Sequence, residues 1–435
     1  MFGLSSREAR FVIVISAIHL SQHFFMRLIP PLIPVLAVAF DYPLWQLGLL
    51  VSLFSFGAGL FQTPFGIISD SYDRLYILPT GIVLMGIGYI LFAFADTVGA
   101  YSPSLSIFGQ LFTGSFLVMS LSMLIAGIGS AVVHPSSYPM ITDNVSVGNK
   151  GKALGAFGSS AKFGDAIAPA VVGILILLLL WNQIMLILGL FGVVVGAIIF
   201  LILRQDEFET VPASERENTA GNTEVTPSIW ETEKREYLYP LTIIYLFFIT
   251  KNFSGEGIKT YLPVFVVVVY AYSFEAFGVY FAPESVANFY FALLLVFAGL
   301  FQLPIGGLAD RIDKRIILIC GALLGALGFL ALSLLTLGPF MLFLAMCMAG
   351  AGIYGLAPAR DGMISEISPP ELEGRTFGYI WTAIMLSGSL MPPIVGYIME
   401  VQGMRDGFLL LTIGTILSAL FASLLFSPKL YIRNA

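Results

Sequence analysis

Long apolar runs, broken by short polar turns, make up nearly all of this chain. Twelve runs approach or exceed the roughly 20 residues that an α-helix needs to cross a bilayer. They fall at about 11–39, 45–68, 75–95, 113–139, 152–180, 183–203, 240–272, 285–309, 315–336, 340–365, 375–399 and 406–426. Runs of this length predict an all-α membrane protein with twelve transmembrane helices. The one long polar stretch, residues 204–239, carries nine acids and four bases. It predicts a solvated linker with a short surface helix near Trp230. The expected organisation is a six-helix bundle at 1–203, the linker at 204–239 and a second bundle at 240–435. The first run is too long for a signal peptide and carries His19, His23 and Arg27, so it is expected to remain as a span.

Composition agrees with the pattern. The chain is 57% hydrophobic and 11% charged, against about 25% charged for a soluble domain. Both cysteines, Cys320 and Cys347, lie in apolar runs and predict no disulfide framework or metal cluster. No glycine-rich phosphate loop ending in Lys-Ser/Thr is present, so direct ATP use is not expected. No nucleophile–base pair or metal triad stands out, which argues against an enzyme. No cofactor and no nucleic-acid partner are expected, and the chain is expected to be monomeric. With both termini cytoplasmic, 15 Lys and Arg residues fall in inner loops and tails and only Arg405 falls outside. That bias predicts a multi-pass protein of the cell membrane with both ends inside.

The halves repeat each other. Residues 58–73, AGLFQTPFGIISDSYD, match 298–313, AGLFQLPIGGLADRID, at nine of 16 positions. A second match at a shorter offset pairs Pro135 with Pro358, Gly155 with Gly378 and Pro169 with Pro392. The first half therefore holds 17 extra residues between the matches, expected in the outer stretch 96–112. Two ordered matches flanking equivalent spans predict a duplicated, pseudo-symmetric pair of bundles, a common plan for secondary transporters.

An ionisable side chain at the bilayer centre costs roughly 2.5–3.5 kcal/mol on insertion scales, so such groups usually face a cavity or a partner. His19, His23 and Arg27 are spaced by four and share one helical face. Two readings stand for that face: an anion-binding, proton-passing cavity wall, or histidines bonded to neighbouring helices. A metal site is not expected, because two histidines beside an arginine lack a third ligand. Aligning Pro31 with Pro263 places Arg27 on Lys259 and His19 on Lys251. Gly255 and Gly257 flank Glu256 and predict a local loosening of that helix. Glu256 can pair with Lys259, and Lys162 with Asp165. His134 and the pair Arg360–Asp361 fall near inner helix ends, where a gate is expected rather than a mid-membrane site. Four deep cations (Arg27, Lys162, Lys251, Lys259) face two deep acids (Asp165, Glu256), which favours an anionic substrate in a low-dielectric cavity. Asp165, Glu256 or His134 are the candidates for proton coupling.

Gly306-Gly-Leu-Ala-Asp310-Arg311-Ile-Asp313-Lys314-Arg315 resembles the loop signature of the major facilitator superfamily, and Gly66–Arg74 is a variant with Ser71 in place of a base. Within that superfamily the chain looks most like the fosmidomycin-resistance branch of efflux proteins. The carrying residues are 19–36, 127–137, 163–173 and 257–266. Two positions depart from the drug–proton antiporter pattern: Ala168-Pro169 stands where Gly-Pro is usual, and the fourth-span Arg would fall near Met123. The resemblance implies a transporter that rocks two halves about a central site. It implies a gate in the turns around Asp70, Asp73 and Arg74 and around Asp310, Arg311 and Asp313. It also implies a small-molecule cargo, and that branch's named drug is a phosphonate. The function expected is proton-coupled efflux of a small organic anion or drug. A carrier of a cationic drug or neutral sugar, or a non-transporting receptor on the same fold, remains the alternative.

Overall fold

The computed structural model describes residues 3–205, 208–212, 235–367 and 373–426. Most of the linker, with Trp230, lies outside the described residues. The first half runs α1 (Ser6–Met26), α2 (Ile33–Phe40), α3 (Leu44–Ser71), α4 (Arg74–Ala93), α5 (Ala95–Gly99), α6 (Gly114–Ala131), α7 (Val133–Asn144), α8 (Lys150–Leu175) and α9 (Trp181–Gln205). The second runs α10 (Arg235–Val269), α11 (Pro283–Ala309), α12 (Lys314–Leu334), α13 (Pro339–Tyr354), α14 (Ala357–Ile367), α15 (Glu373–Val401) and α16 (Met404–Leu424). Among the described residues, ten helical segments are long and apolar enough to cross a membrane. Helices α8 and α10 stand outside that set. They are 26 and 35 residues long and carry Lys162, Asp165, Lys251, Glu256 and Lys259.

The first run is broken. Helix α1 stops at Met26, and a 3₁₀ turn at Pro30–Leu32 precedes α2. Pro30 and Pro31 have no N–H to offer the preceding carbonyls, and each disfavours helix in the residue before it. The loosening expected around Gly255 and Gly257 does not occur, because α10 is continuous from Arg235 to Val269. Those glycines make room for neighbours instead: a Cβ on Gly257 would sit 2.3 Å from Leu411.

The chain divides into two compact units. The first comprises Met1–Tyr42, Leu49–Gly221 and Ser273–Ala292; the second comprises Pro43–Gly48, Asn222–Tyr272 and Leu293–Ala435. In the first, α4 packs on α6 and α9, and α1 packs on α8. In the second, α16 packs on α10 and α12, and α12 packs on α13. The duplication is visible in the packing. A Cβ on Gly66 would lie 3.9 Å from Pro135 Cβ, and one on Gly306 would lie 3.9 Å from Pro358 Cβ. The two sequence matches thus meet each other in the same way within each unit.

The 17-residue excess of the first half is structured. Residues 94–113 hold α5 and a hairpin of β1 (Leu105–Ile107) and β2 (Gln110–Phe112), whereas only 335–338 separate α12 from α13. A second hairpin, β3 (Phe274–Ala276) with β4 (Val279–Phe281), follows α10 and has no counterpart in the repeat. Both turn on Phe-Gly with two positive φ values, 51° and 77° at Phe108-Gly109 and 53° and 73° at Phe277-Gly278. Two successive positive φ values define the hairpin turn whose twist matches its strands. Both phenylalanine rings are fully exposed.

The repeated turns are helix caps. Asp73 accepts from Leu75 N at 2.9 Å at the start of α4, and Asp313 accepts from Arg315 N at 2.9 Å at the start of α12. The Arg315 guanidinium grips the same Asp313 carboxylate and holds it below the usual carboxylate range. A depressed carboxyl stabilises the fold above its unfolded pKa of about 3.9 and loses that effect as pH falls through the folded value. Asp313→Ala is therefore expected to cost about 0.5–2 kcal/mol at neutral pH, with the gap to wild type closing below about pH 4. Thermal unfolding in detergent across that range measures this, and an unchanged gap at pH 3 would remove charge from the explanation.

Candidate functional site

The charged face of α1 meets α7 and α8 inside the first unit. Close approach of α1 and α8 depends on Gly164, whose Cβ would stand 2.3 Å from Leu20 O. That contact brings Asp165 under the end of α1. Arg27 Nε lies 2.9 Å from Asp165 Oδ1 and His23 Nδ1 lies 3.1 Å from the same oxygen. Arg27 and Asp165 are each 5% exposed. His23 comes from α1 and Arg27 from its C-cap, while Lys162 stands three residues before Asp165 on α8.

One turn down α1, His19 Nδ1 lies 2.7 Å from Phe157 O, and its ring stacks on the Phe157 ring at 3.7 Å. Its other nitrogen, Nε2, lies 3.2 Å from His134 Nε2. His134 therefore joins the α1 cluster. It does so because α7 starts at Val133 and turns His134 toward α1. The premise that no third ligand accompanies His19 and His23 falls with it, since the ligand atoms of all three histidines lie within 4.8 Å of one another. Gln22 adds another polar group, donating from Nε2 to Ser130 O at 2.8 Å.

The second unit holds its own cluster. Lys259 pairs with Glu256 one turn earlier on α10, as their spacing predicts, and stands 5.1 Å over the Tyr354 ring. The Tyr354 hydroxyl donates to Gly255 O. Lys251 is buried on the same helix. Asn252 Nδ2 donates to Ile384 O at 2.8 Å, and a Cβ on Gly388 would press on it at 2.5 Å.

The expected gate residues divide. Asp70, Asp310 and Arg311 are exposed. Arg74 is buried, with Nη1 3.1 Å from Asp143 Oδ2 and Nε donating to Ser69 O at 3.1 Å. Arg360 and Asp361 form a two-pronged pair, with Nε 2.7 Å from Oδ1. Sequence reasoning missed Phe157, Asp143, Gln22 and Tyr354. Asp143 had a signal, since it is an acid one turn from the end of an apolar run.

Long apolar helices in two repeated sets, each with charged side chains held inside it, define a multi-pass membrane protein. The chain belongs to the Major Facilitator Superfamily, whose profile matches residues 15–293 and 276–431. It is 26% identical to the class D tetracycline resistance protein of Salmonella ordonez, over 79% of this chain and 86% of that one. It is 24% identical to the fosmidomycin resistance protein of Escherichia coli (strain K12), over 81% of this chain and 80% of that one. The likeness to the fosmidomycin-resistance branch is thus matched by an equal likeness to a second resistance protein. Its fold is that of a bacterial homologue of the human lysosomal transporter Spinster in an inward-facing, occupied conformation. The TM-score is 0.75 at 17% identity, covering 97% of each chain. Fold and family are those of transporters of small molecules across membranes.

Proposed function

We propose that this protein moves a small organic anion by alternating access, coupled to protons, with both termini in the cytoplasm of a cell whose plasma membrane it spans. The observation that carries the reading is the sharing of Asp165 between Arg27 and His23. Arg27 is the cation for the anion, and Asp165 is the switch that withholds or releases it. A proton on Asp165 weakens its hold on Arg27 and frees the guanidinium for an incoming carboxylate, phosphate or phosphonate. His19, His23 and Lys162 add donors in the same cluster. Lys251 and Lys259 supply cations in the second unit, with Glu256 holding Lys259 as Asp165 holds Arg27. The exposed turns at Asp70, Asp310 and Arg311, with the Arg74–Asp143 and Arg360–Asp361 pairs, form the gating contacts that open and close during the cycle.

Likeness to two resistance proteins favours export of the anion. The Asp165 arrangement favours a second reading, cotransport, because a proton that frees Arg27 helps the anion bind rather than expelling it. Exchange would need a titrating group that does not hold a substrate cation, and His134 is the candidate for it.

Proteoliposomes with an imposed pH gradient and a panel of anions, cations and sugars separate these readings. Anion flux driven from the acidic side marks cotransport, and flux driven toward it marks exchange. Movement of cations or sugars alone, or anion flux indifferent to the gradient, sinks the proposal.

A further inference from the structure

We infer that His19, His23 and His134 form a binding site for one borderline divalent transition-metal ion of the zinc class. The cluster brings together three imidazoles from two helices, α1 and α7, with ligand atoms within 4.8 Å of one another. His19 Nδ1–H donates to Phe157 O at 2.7 Å, which leaves the lone pair of Nε2 for a ligand. His23 Nδ1 is engaged by Asp165 Oδ1 at 3.1 Å, which in the same way leaves its Nε2. Metal-binding histidines show this arrangement, with the second ring nitrogen donating to a carbonyl or carboxylate that fixes tautomer and orientation.

The spacing agrees with the chemistry. His19 Nε2 and His134 Nε2 are 3.2 Å apart. An ion about 2.0–2.1 Å from both nitrogens would see them at about 100°, close to a tetrahedral angle. Binding requires the His23 nitrogen, within 4.8 Å of the other two, to draw closer to the ion. Three nitrogen donors with no oxygen ligand suit zinc, cobalt, nickel or copper and not magnesium or calcium. Three protein ligands leave a fourth position open to water or to an anion. The charged groups facing the cluster are Arg27, Asp165 and Lys162, and Asp165 is ion-paired with Arg27.

Binding is measured without flux, so this inference stands apart from the transport reading. The probe is Co²⁺ titrated into the full-length, tag-free protein in detergent. The expected result is saturation at one ion per chain with the intense visible band of four-coordinate cobalt, followed by its loss on adding Zn²⁺. His19→Asn, His23→Asn and His134→Asn should each weaken binding at least tenfold, and His134→Cys, which restores a zinc ligand, should recover Zn²⁺ affinity. A faint six-coordinate spectrum or no saturation in the wild type overturns the inference. So does a band that disappears with Cys320→Ser and Cys347→Ser but survives His134→Asn.

Discussion

Asp165→Ala is expected to destabilise the protein by about 3–5 kcal/mol, the usual result of removing one partner from a buried ion pair. Arg27 would be left with its charge in a site that is 5% exposed, and His23 would lose its carboxylate. The cost comes from the stranded cation and not from the pair's own attraction, which desolvation largely offsets. A second variant separates these effects. Arg27→Met with Asp165→Leu removes both charges and should return near wild-type stability while abolishing anion flux. Chemical denaturation in detergent reads the first effect, and flux in liposomes reads the second. If Asp165→Ala unfolds like the wild type, the pair is not the buried anchor of α1 against α8. If the apolar double variant still carries an anion, Arg27 is not the anion's cation.

Arg27→Ala combined with Lys259→Ala should reduce anion transport by a factor of about 10²–10⁴. Each hydrogen bond to a charged group is worth about 1.5–3 kcal/mol, and 1.4 kcal/mol is a factor of ten. Two such losses in series give that range. The single variants should each retain part of the activity, and residual transport should shift toward neutral compounds. Initial rates across a substrate panel, normalised to the amount of monodisperse protein reconstituted, provide the measurement. Undiminished transport in the double variant would favour a cationic or neutral cargo met by Asp165 or Glu256.

The helical plan was legible because a bilayer imposes length and apolarity on every crossing. The internal repeat was legible because both copies keep the same local packing: Gly66 faces Pro135 as Gly306 faces Pro358. Helix interruption was misplaced. Gly255 and Gly257 permit a break but do not require one, and the break falls instead at Pro30-Pro31, which remove donors, while Pro392-Pro393 are carried within α15. The α1 face could be read from its spacing alone, since residues four apart must share a side. Its partners could not. Phe157 contributes a backbone oxygen, which any residue carries, and His134 reaches His19 only because α1 and α7 are packed together in space. Arg74 likewise finds Asp143 across 69 positions of sequence. The hairpins were hidden by length, because three-residue strands between two apolar runs read as loop.

The two hairpins also give the molecule its most convenient handles. Gly109 and Gly278 have no heavy atom within 4 Å of where a Cβ would stand, so a short epitope or a rigid antibody fragment can occupy either tip without disturbing a helix. Four of the twelve expected crossings lie between the tips, so the expected topology predicts both tips on one side of the bilayer. A membrane-impermeant label at each would therefore fix the handedness of insertion twice over. The same tips could carry the added mass that small, lipid-embedded particles need to be aligned in electron images.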